Sequence, residues 1–217
     1  MPFFSESRFP RLWDIFQFWM GGTVDKRKLA KRKWTTQHRH VLEIGCATGN
    51  VAKAFFSDPS VSYTGIDIDC GAIFVANRRY GRRSNIRFIC EAVELFAKSG
   101  AVFDYILYCG VLHHNDAATC LSLLAASQSL SKDGTDVIIL EPLLPEPTDK
   151  PVVHFYSFLE QGRFLGSARR LCSFLSDISF LRVVDMEIHP VGATPFRSWP
   201  TCARFALIHC RVAKPEI

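Results

Sequence analysis

No apolar run in this 217-residue chain approaches the roughly 18 residues that a membrane helix needs, so no membrane partner is expected. The N-terminus has no charged start followed by a long apolar core, so it does not read as a secretory signal. Charge of one sign is not dominant either. The 26 Lys and Arg against 21 Asp and Glu leave +5, which permits an acidic or nucleic-acid partner without requiring one. Cys46, Cys70, Cys90, Cys109, Cys120, Cys172, Cys202 and Cys210 form no C-x-x-C pair, and no His stands at zinc-site spacing, so no metal is expected. Several lie in apolar runs, such as Phe88-Ile89-Cys90, where a free thiol acts as a small hydrophobe. The expectation is free thiols in a reducing, cytoplasmic setting. There is no internal repeat, low-complexity segment or sign of a second core.

What is present is an alternation of strand-length apolar runs with helical patterns, the texture of a βαβ protein with a buried parallel sheet. Strands are predicted at His40–Cys46, Ser62–Asp67, Ile86–Cys90, Phe103–Tyr108, Thr135–Glu141, Leu181–His189 and Ala203–Val212. Helices are predicted at Asn50–Ser57, Asp69–Tyr80, Ala92–Ser99 and Ala117–Ser131, with a longer aromatic-rich helical region from Val152 to Leu175. The last two strands follow each other with no helical pattern between, which predicts an antiparallel pair. Before the first strand, Leu12, Trp13, Phe16, Trp19 and Met20 fall on one face of an amphipathic helix over Arg8–Met20, ended by Gly21-Gly22. A basic stretch follows, seven of the fourteen residues from Lys26 to Arg39 being Lys or Arg. Residues 1–39 therefore read as an N-terminal helical extension, or lid, on a domain spanning 40–217.

The strongest local signal is Val41-Leu42-Glu43-Ile44-Gly45-Cys46-Ala47-Thr48-Gly49-Asn50, an apolar strand running into a glycine-rich turn that opens a helical pattern. Small residues there let a ligand approach the backbone, and free N–H groups face it. A dinucleotide fingerprint would need glycine where Ala47 and Asn50 stand. The spacing is instead G-x-x-x-G, with the carboxylate of Glu43 two residues ahead of Gly45. That carboxylate suits a ligand carrying positive charge and would repel a pyrophosphate. Asp67 ends the next strand 22 residues after Gly45, where an acidic side chain can accept two ribose hydroxyls. Asp69 reads as the N-cap of the following helix.

Leu42 to Gly49 resembles the first motif of class I S-adenosylmethionine-dependent methyltransferases, and Gly65-Ile66-Asp67-Ile68 resembles the second. Cys90-Glu91-Ala92 stands where that family has an acidic residue near the adenine. Phe103-Asp104-Tyr105-Ile106-Leu107-Tyr108-Cys109-Gly110-Val111-Leu112-His113-His114 resembles its fourth-strand motif, and Leu130-Ser131-Lys132-Asp133-Gly134 the turn before its fifth strand. These landmarks cover about Val41 to Glu141. Ala47 replaces the family's middle glycine, and Asp133-Gly134-Thr135 a commoner Pro-Gly-Gly. The resemblance implies a doubly wound α/β fold, with a seven-stranded sheet in the order 3-2-1-4-5-7-6 and the last strand antiparallel. It implies S-adenosylmethionine as cofactor, bound by Glu43, Gly45, Cys46, Ala47, Gly49, Asp67, Ile68, Glu91, Ala92, Cys109 and Gly110.

His113 and His114 follow the fourth strand at the ligand edge and are the candidate catalytic residues, unless they only cap the loop. His154, Phe155, Tyr156 and Phe158 are candidate substrate contacts as an aromatic lid, although helical packing explains the aromatic spacing equally well. Glu141 also ends a strand at this edge, but one carboxylate makes no metal site. The expected activity is methyl transfer to a small-molecule acceptor, with the acceptor atom open among oxygen, nitrogen and carbon. Two alternatives stand: an RNA methyltransferase, and a non-catalytic cofactor-binding partner protein. Nucleic acid is not favoured, because the basic run and the cluster Arg78, Arg79, Arg82, Arg83 and Arg87 also suit a solvated helix face. In addition, Cys109-Gly110-Val111-Leu112 is not the Asn/Asp-Pro-Pro-aromatic run of adenine-N6 methyltransferases. No feature of the pattern fixes an oligomeric state.

Overall fold

A computed structural model describes residues 23–159, 164, 166–192 and 201–213. Seven strands form one sheet: β1 (His40–Ile44), β2 (Ser62–Asp67), β3 (Ile86–Cys90), β4 (Phe103–Cys109), β5 (Ser131–Pro142), β6 (Leu181–Gly192) and β7 (Thr201–Val212). Their order is β3-β2-β1-β4-β5-β7-β6. The pairs from β3 through β5 are parallel, and β7 runs antiparallel to both β5 and β6. Order and strand directions are those expected from the sequence. The predicted N-terminal helix over Arg8–Met20 lies outside the described residues.

The burial pattern follows position in the sheet. Central β4 is an almost unbroken apolar run because helices cover both its faces, whereas edge strand β6 alternates. Strand alternation divides the apolar side chains into two cores. Val41, Tyr63, Tyr105, Leu107, Leu140 and Phe205 face one side. Leu42, Ile44, Ile106, Tyr108, Ile139 and Ile208 face the other. Helices α1 (Thr23–Ala30) and α2 (Cys70–Tyr80) pack on the first core; α3 (Val93–Phe96) and α4 (Ala117–Ser129) pack on the second. The Tyr105 hydroxyl donates to the Ala30 carbonyl at 2.7 Å, which anchors the end of α1 to the centre of the sheet.

Four local expectations are corrected. The helix predicted at Asn50–Ser57 is a single 3-10 turn, Ala52–Phe55, entered through Val51, whose side chain cannot cap the free N–H groups. The predicted Ala92–Ser99 helix is likewise only α3 followed by a 3-10 turn over Ala97–Ser99. The helical region Val152–Leu175 is two helices, α5 (Pro151–Leu159) and α6 (Ala168–Ser176), with Ser167 capping the second through Arg170 N. Tyr156 of α5 joins the first core and Leu175 of α6 the second, so the chain crosses from one face of the sheet to the other between them. Cys70 and Cys90 are not free thiols but a disulfide, with Cα atoms 5.1 Å apart. Twenty residues separate them in sequence, but the parallel register sets Asp67 beside Cys90, bringing the start of α2 to the end of β3.

Candidate active site

The carboxyl ends of β1, β2, β4 and β5 meet on one edge of the sheet, where strand order reverses on either side of β1 and β4, the usual ligand edge of such folds. After β1, the Gly45 and Cys46 N–H groups donate to the Ile66 carbonyl at 2.9 and 3.1 Å, so the turn begins as a continuation of the sheet. Gly45, Ala47 and Gly49 all have φ between +47° and +74°, in the left-handed region. Glycine tolerates this without cost, whereas Ala47 is strained by about 1 kcal/mol. At Gly45 space is limiting as well, since a Cβ would lie 2.5 Å from a Val111 methyl.

Asp67 holds the strained turn. Its Oδ2 accepts from Ala47 N at 2.8 Å and its Oδ1 from Asp69 N at 2.9 Å. Each carboxylate oxygen keeps a second lone pair, so the side chain can still accept hydroxyl donors. Asp69 caps α2 as expected, accepting from Gly71 N and Ala72 N.

Around this turn lies a cavity of about 480 Å³, within the range of small-molecule sites. Among the residues expected to hold a cofactor, Glu43, Gly45, Cys46, Ala47, Asp67, Ile68, Glu91, Cys109 and Gly110 line it. Gly49 and Ala92 do not. Gly49 instead backs the turn against Phe88, where a Cβ would come within 2.7 Å of the ring, and Ala92 is the N-cap residue of α3. Ile68 is 78% exposed on this wall, an apolar surface that a flat ring could cover. Glu43 is buried beneath the turn and hydrogen-bonded by the Tyr63 hydroxyl. Burial pushes its pKa up to about 8, against the opposing effect of the Tyr63 bond and with a smaller push from Asp67. Burial also drives the Cys109 thiol up to about 12, so it faces the cavity protonated.

The loop after β4 carries the two histidines, both at the cavity. Their rings lie 4.0 Å apart; His113 is buried and His114 exposed. Buried Glu141 organises the loop. Its Oε1 accepts from Val111 N and Leu112 N at 2.8 Å, and its Oε2 from His113 N at 3.3 Å and from His113 Nδ1 at 2.6 Å. A carboxylate so engaged fixes the proton on Nδ1, which makes Nε2 the basic nitrogen of the neutral ring. This role of Glu141 was missed in the sequence because its partners lie some thirty positions away. His113, Asn115 and Pro142 also border a second cavity of about 250 Å³.

The aromatic group behaves differently. His154, Phe155, Tyr156 and Phe158 all lie on α5, and none lines either cavity. Tyr156 is buried in the core, and the other three side chains are exposed. The basic run supplies what the aromatics do not. Thr23 and Lys26 of α1 line the first cavity, and Lys26 Nζ stands 5.0 Å from the centre of the Phe205 ring, also on its wall. Arg32 pairs with Glu187 at 2.7 Å, and Lys33 with Asp185 and Glu187 at 2.8 and 2.6 Å, so these charges are consumed against β6.

Comparison with known proteins agrees with this geometry. The model of a family described as a methyltransferase domain matches residues 41–134. Over 88 residues the chain is 30% identical to ubiquinone biosynthesis O-methyltransferase of Coxiella burnetii, an alignment covering 40% of this chain and 37% of that protein. It is 28% identical over 161 residues to an O-methyltransferase of Pyrenophora dematioidea, covering 70% and 58%. The chain thus spans less than two thirds of the length of these curated relatives. Human N-acetylserotonin methyltransferase, solved in complex with SAM, superimposes with a TM-score of 0.66 at 20% identity, over 88% of this chain and 52% of that one. Residues 41–134 thus resemble a methyltransferase domain, and the sheet that continues from them to Val212 has the fold of the solved methyltransferase.

Proposed function

We propose that the protein binds S-adenosylmethionine and transfers its methyl group to a small-molecule acceptor. The observation that carries this reading is the meeting of Glu43, the Gly45–Gly49 turn, Asp67, Ile68, Glu91 and His113 around one cavity at the carboxyl edge of the sheet. Their chemistry fits the cofactor. Glu43 is a buried carboxylate without a cationic partner among the described residues, suited to the ammonium of the amino-acid moiety. The Asp67 oxygens retain acceptor capacity for ribose hydroxyls, Ile68 offers an apolar face to the adenine, and Glu91 an acceptor for its amino group. Once bound, the sulfonium supplies an already activated methyl group. The protein's tasks are then to align the acceptor, exclude water and, where the acceptor is a hydroxyl, take its proton. His113 suits the last task, since Glu141 sets its tautomer and leaves Nε2 basic; His114 is the neighbouring candidate. His154, Phe155 and Phe158 are candidate contacts for the acceptor only through approach of the exposed face of α5, and Tyr156, buried in the core, is not one.

Residues 1–39 are proposed as an extension that closes over the site, a reading supported by Thr23 and Lys26 on the cavity wall. A small acceptor is favoured over RNA because Arg32 and Lys33 are spent on ion pairs within the fold. Among the described residues no helix is long and apolar enough to cross a membrane. A cytoplasmic location is the accompanying proposal: six cysteines stand outside any disulfide, with the Cys70–Cys90 bond the exception.

Calorimetric titration with S-adenosylhomocysteine tests the cofactor assignment. Asp67→Ala is expected to weaken binding more than about tenfold, the loss of a charge-assisted contact; unchanged affinity removes Asp67 from the site. Transfer of labelled methyl into separate pools of metabolites, RNA and protein tests the acceptor class, and label in RNA alone overturns the small-molecule reading.

A further inference from the structure

We propose that the second cavity is the acceptor pocket, and that Arg170 makes it selective for a single-ring aromatic hydroxy compound carrying an anionic group. This rests on the methyl-transfer reading above. The two cavities share His113, Asn115 and Pro142, so the His113 ring stands in the partition between a cofactor side and an acceptor side. The far wall is apolar: Leu112, Leu171, Phe164 and Phe174 line it, and the last two present aromatic rings. The Phe164 N–H donates to the His113 carbonyl at 3.0 Å, so this wall is tied to the loop that carries the base. An apolar cavity of about 150 Å³ holds benzene. At about 250 Å³, this one has room for one ring with two or three small substituents.

Charge narrows the class further. Glu141 reaches the cavity, but its oxygens are committed to the loop amides and to His113. Arg170, an exposed residue of α6, also lines it, and its guanidinium has no carboxylate partner among the described residues. A wall with one uncommitted cation selects a ligand with one anionic group, and the planar fork of arginine matches a carboxylate. The base sets the nucleophile. A phenolic hydroxyl ionises near 10 and imidazole near 6.5, a gap of about 3.5 units that transfer in the transition state can bridge, whereas an aliphatic hydroxyl lies several units higher. In the step that follows, the hydroxyl proton goes to His113 Nε2 and the oxygen bonds the methyl carbon. The carbon–sulfur electron pair returns to sulfur, leaving an aryl methyl ether, a neutral thioether and an imidazolium.

The test measures binding separately from turnover. The full chain, saturated with S-adenosylhomocysteine, is titrated with 3,4-dihydroxybenzoate and with catechol, its uncharged counterpart. The acid is expected to bind about tenfold tighter or better. Arg170→Gln should bring the two within about twofold, and Arg170→Lys, which keeps the charge, should retain most of the preference. Equal binding of the two probes, failure of the acid to bind, or a preference that survives Arg170→Gln overturns the acceptor assignment while leaving the cofactor site intact. Failure of S-adenosylhomocysteine itself to bind the native chain overturns the underlying methyl-transfer reading, and this proposal with it.

Discussion

Two buried carboxylates at opposite edges of the same sheet have opposite fates. At the amino edge, Asp136 of β5 accepts from His38 Nε2 at 2.9 Å, His209 Nε2 at 2.8 Å and Arg211 Nε at 3.0 Å. Burial alone would push its pKa up, but these three bonds outweigh it and hold the group well below the usual carboxylate range. At the carboxyl edge, Glu43 has one neutral hydroxyl for company and is pushed up to about 8. Burial is common to both; partners make the difference. The satisfied carboxylate ties β5 and β7 to the segment before β1, whereas the poorly satisfied one faces a cavity and leaves charge to be matched by a ligand. The network at Asp136 is internally consistent, since Thr35 N donates to His38 Nδ1 and leaves Nε2 to carry the proton toward Asp136.

The contrast is broken most severely at its structural end. Asp136→Asn removes the charge that three donors share and is expected to cost about 3 kcal/mol in urea unfolding, with S-adenosylhomocysteine affinity within twofold of native. A loss of cofactor affinity with native stability would reverse the assignment of the two edges. The carboxyl edge has its own brace in the Cys70–Cys90 disulfide, beside the cavity residues Ile68 and Glu91. Reduction with dithiothreitol should lower stability by up to about 3 kcal/mol, the entropy of a loop of this length, measured in paired oxidised and reduced denaturation curves.

Glu43→Gln sharpens the comparison through pH. The folded pKa of Glu43 is raised, so its contribution to stability is fully present below an ordinary value near 4.5 and is lost as pH rises through about 8. Asp136 has the opposite sign: its contribution is present above about 4 and is lost as pH falls toward its depressed folded value. The Glu43→Gln variant should therefore lack part of the alkaline decline while keeping the acid one. Its affinity for S-adenosylhomocysteine should fall about tenfold, and the native rise in affinity toward pH 8, as Glu43 gives up its proton, should disappear. An alkaline decline identical to the native one would detach Glu43 from this account. The smallest effect is expected at Ala47→Gly, where relief of the left-handed backbone offsets the greater freedom of the unfolded chain. The net change in melting experiments should be less than about 1 kcal/mol.

The carboxyl edge was the legible one. Glu43, Gly45, Asp67 and the two histidines stand at strand ends, and a strand end followed by a turn is written in consecutive residues. Asp69 shows the same locality, capping a helix two and three residues ahead. The amino-edge network was invisible, because His38, Asp136, His209 and Arg211 come from distant segments that strand register and the packing of the segment before β1 bring together. Glu141 was seen as a strand end and not as the partner of His113 for the same reason. The helix expected after Gly49 failed because apolar periodicity says little about a segment whose first turn has no cap.

The alternation of short apolar runs with amphipathic segments sufficed to determine a doubly wound sheet, since a parallel sheet must be covered on both faces and the covering must lie between the strands. The glycine spacing and the acidic strand ends sufficed to mark the ligand edge, because those constraints act within a few residues. Tertiary structure decided which carboxylates are satisfied, which cysteines meet, that α5 and α6 lie on opposite faces, and that His113 stands between two cavities. Each of these depends on contacts between residues far apart in the chain, and only packing selects among the pairings that composition and local spacing allow.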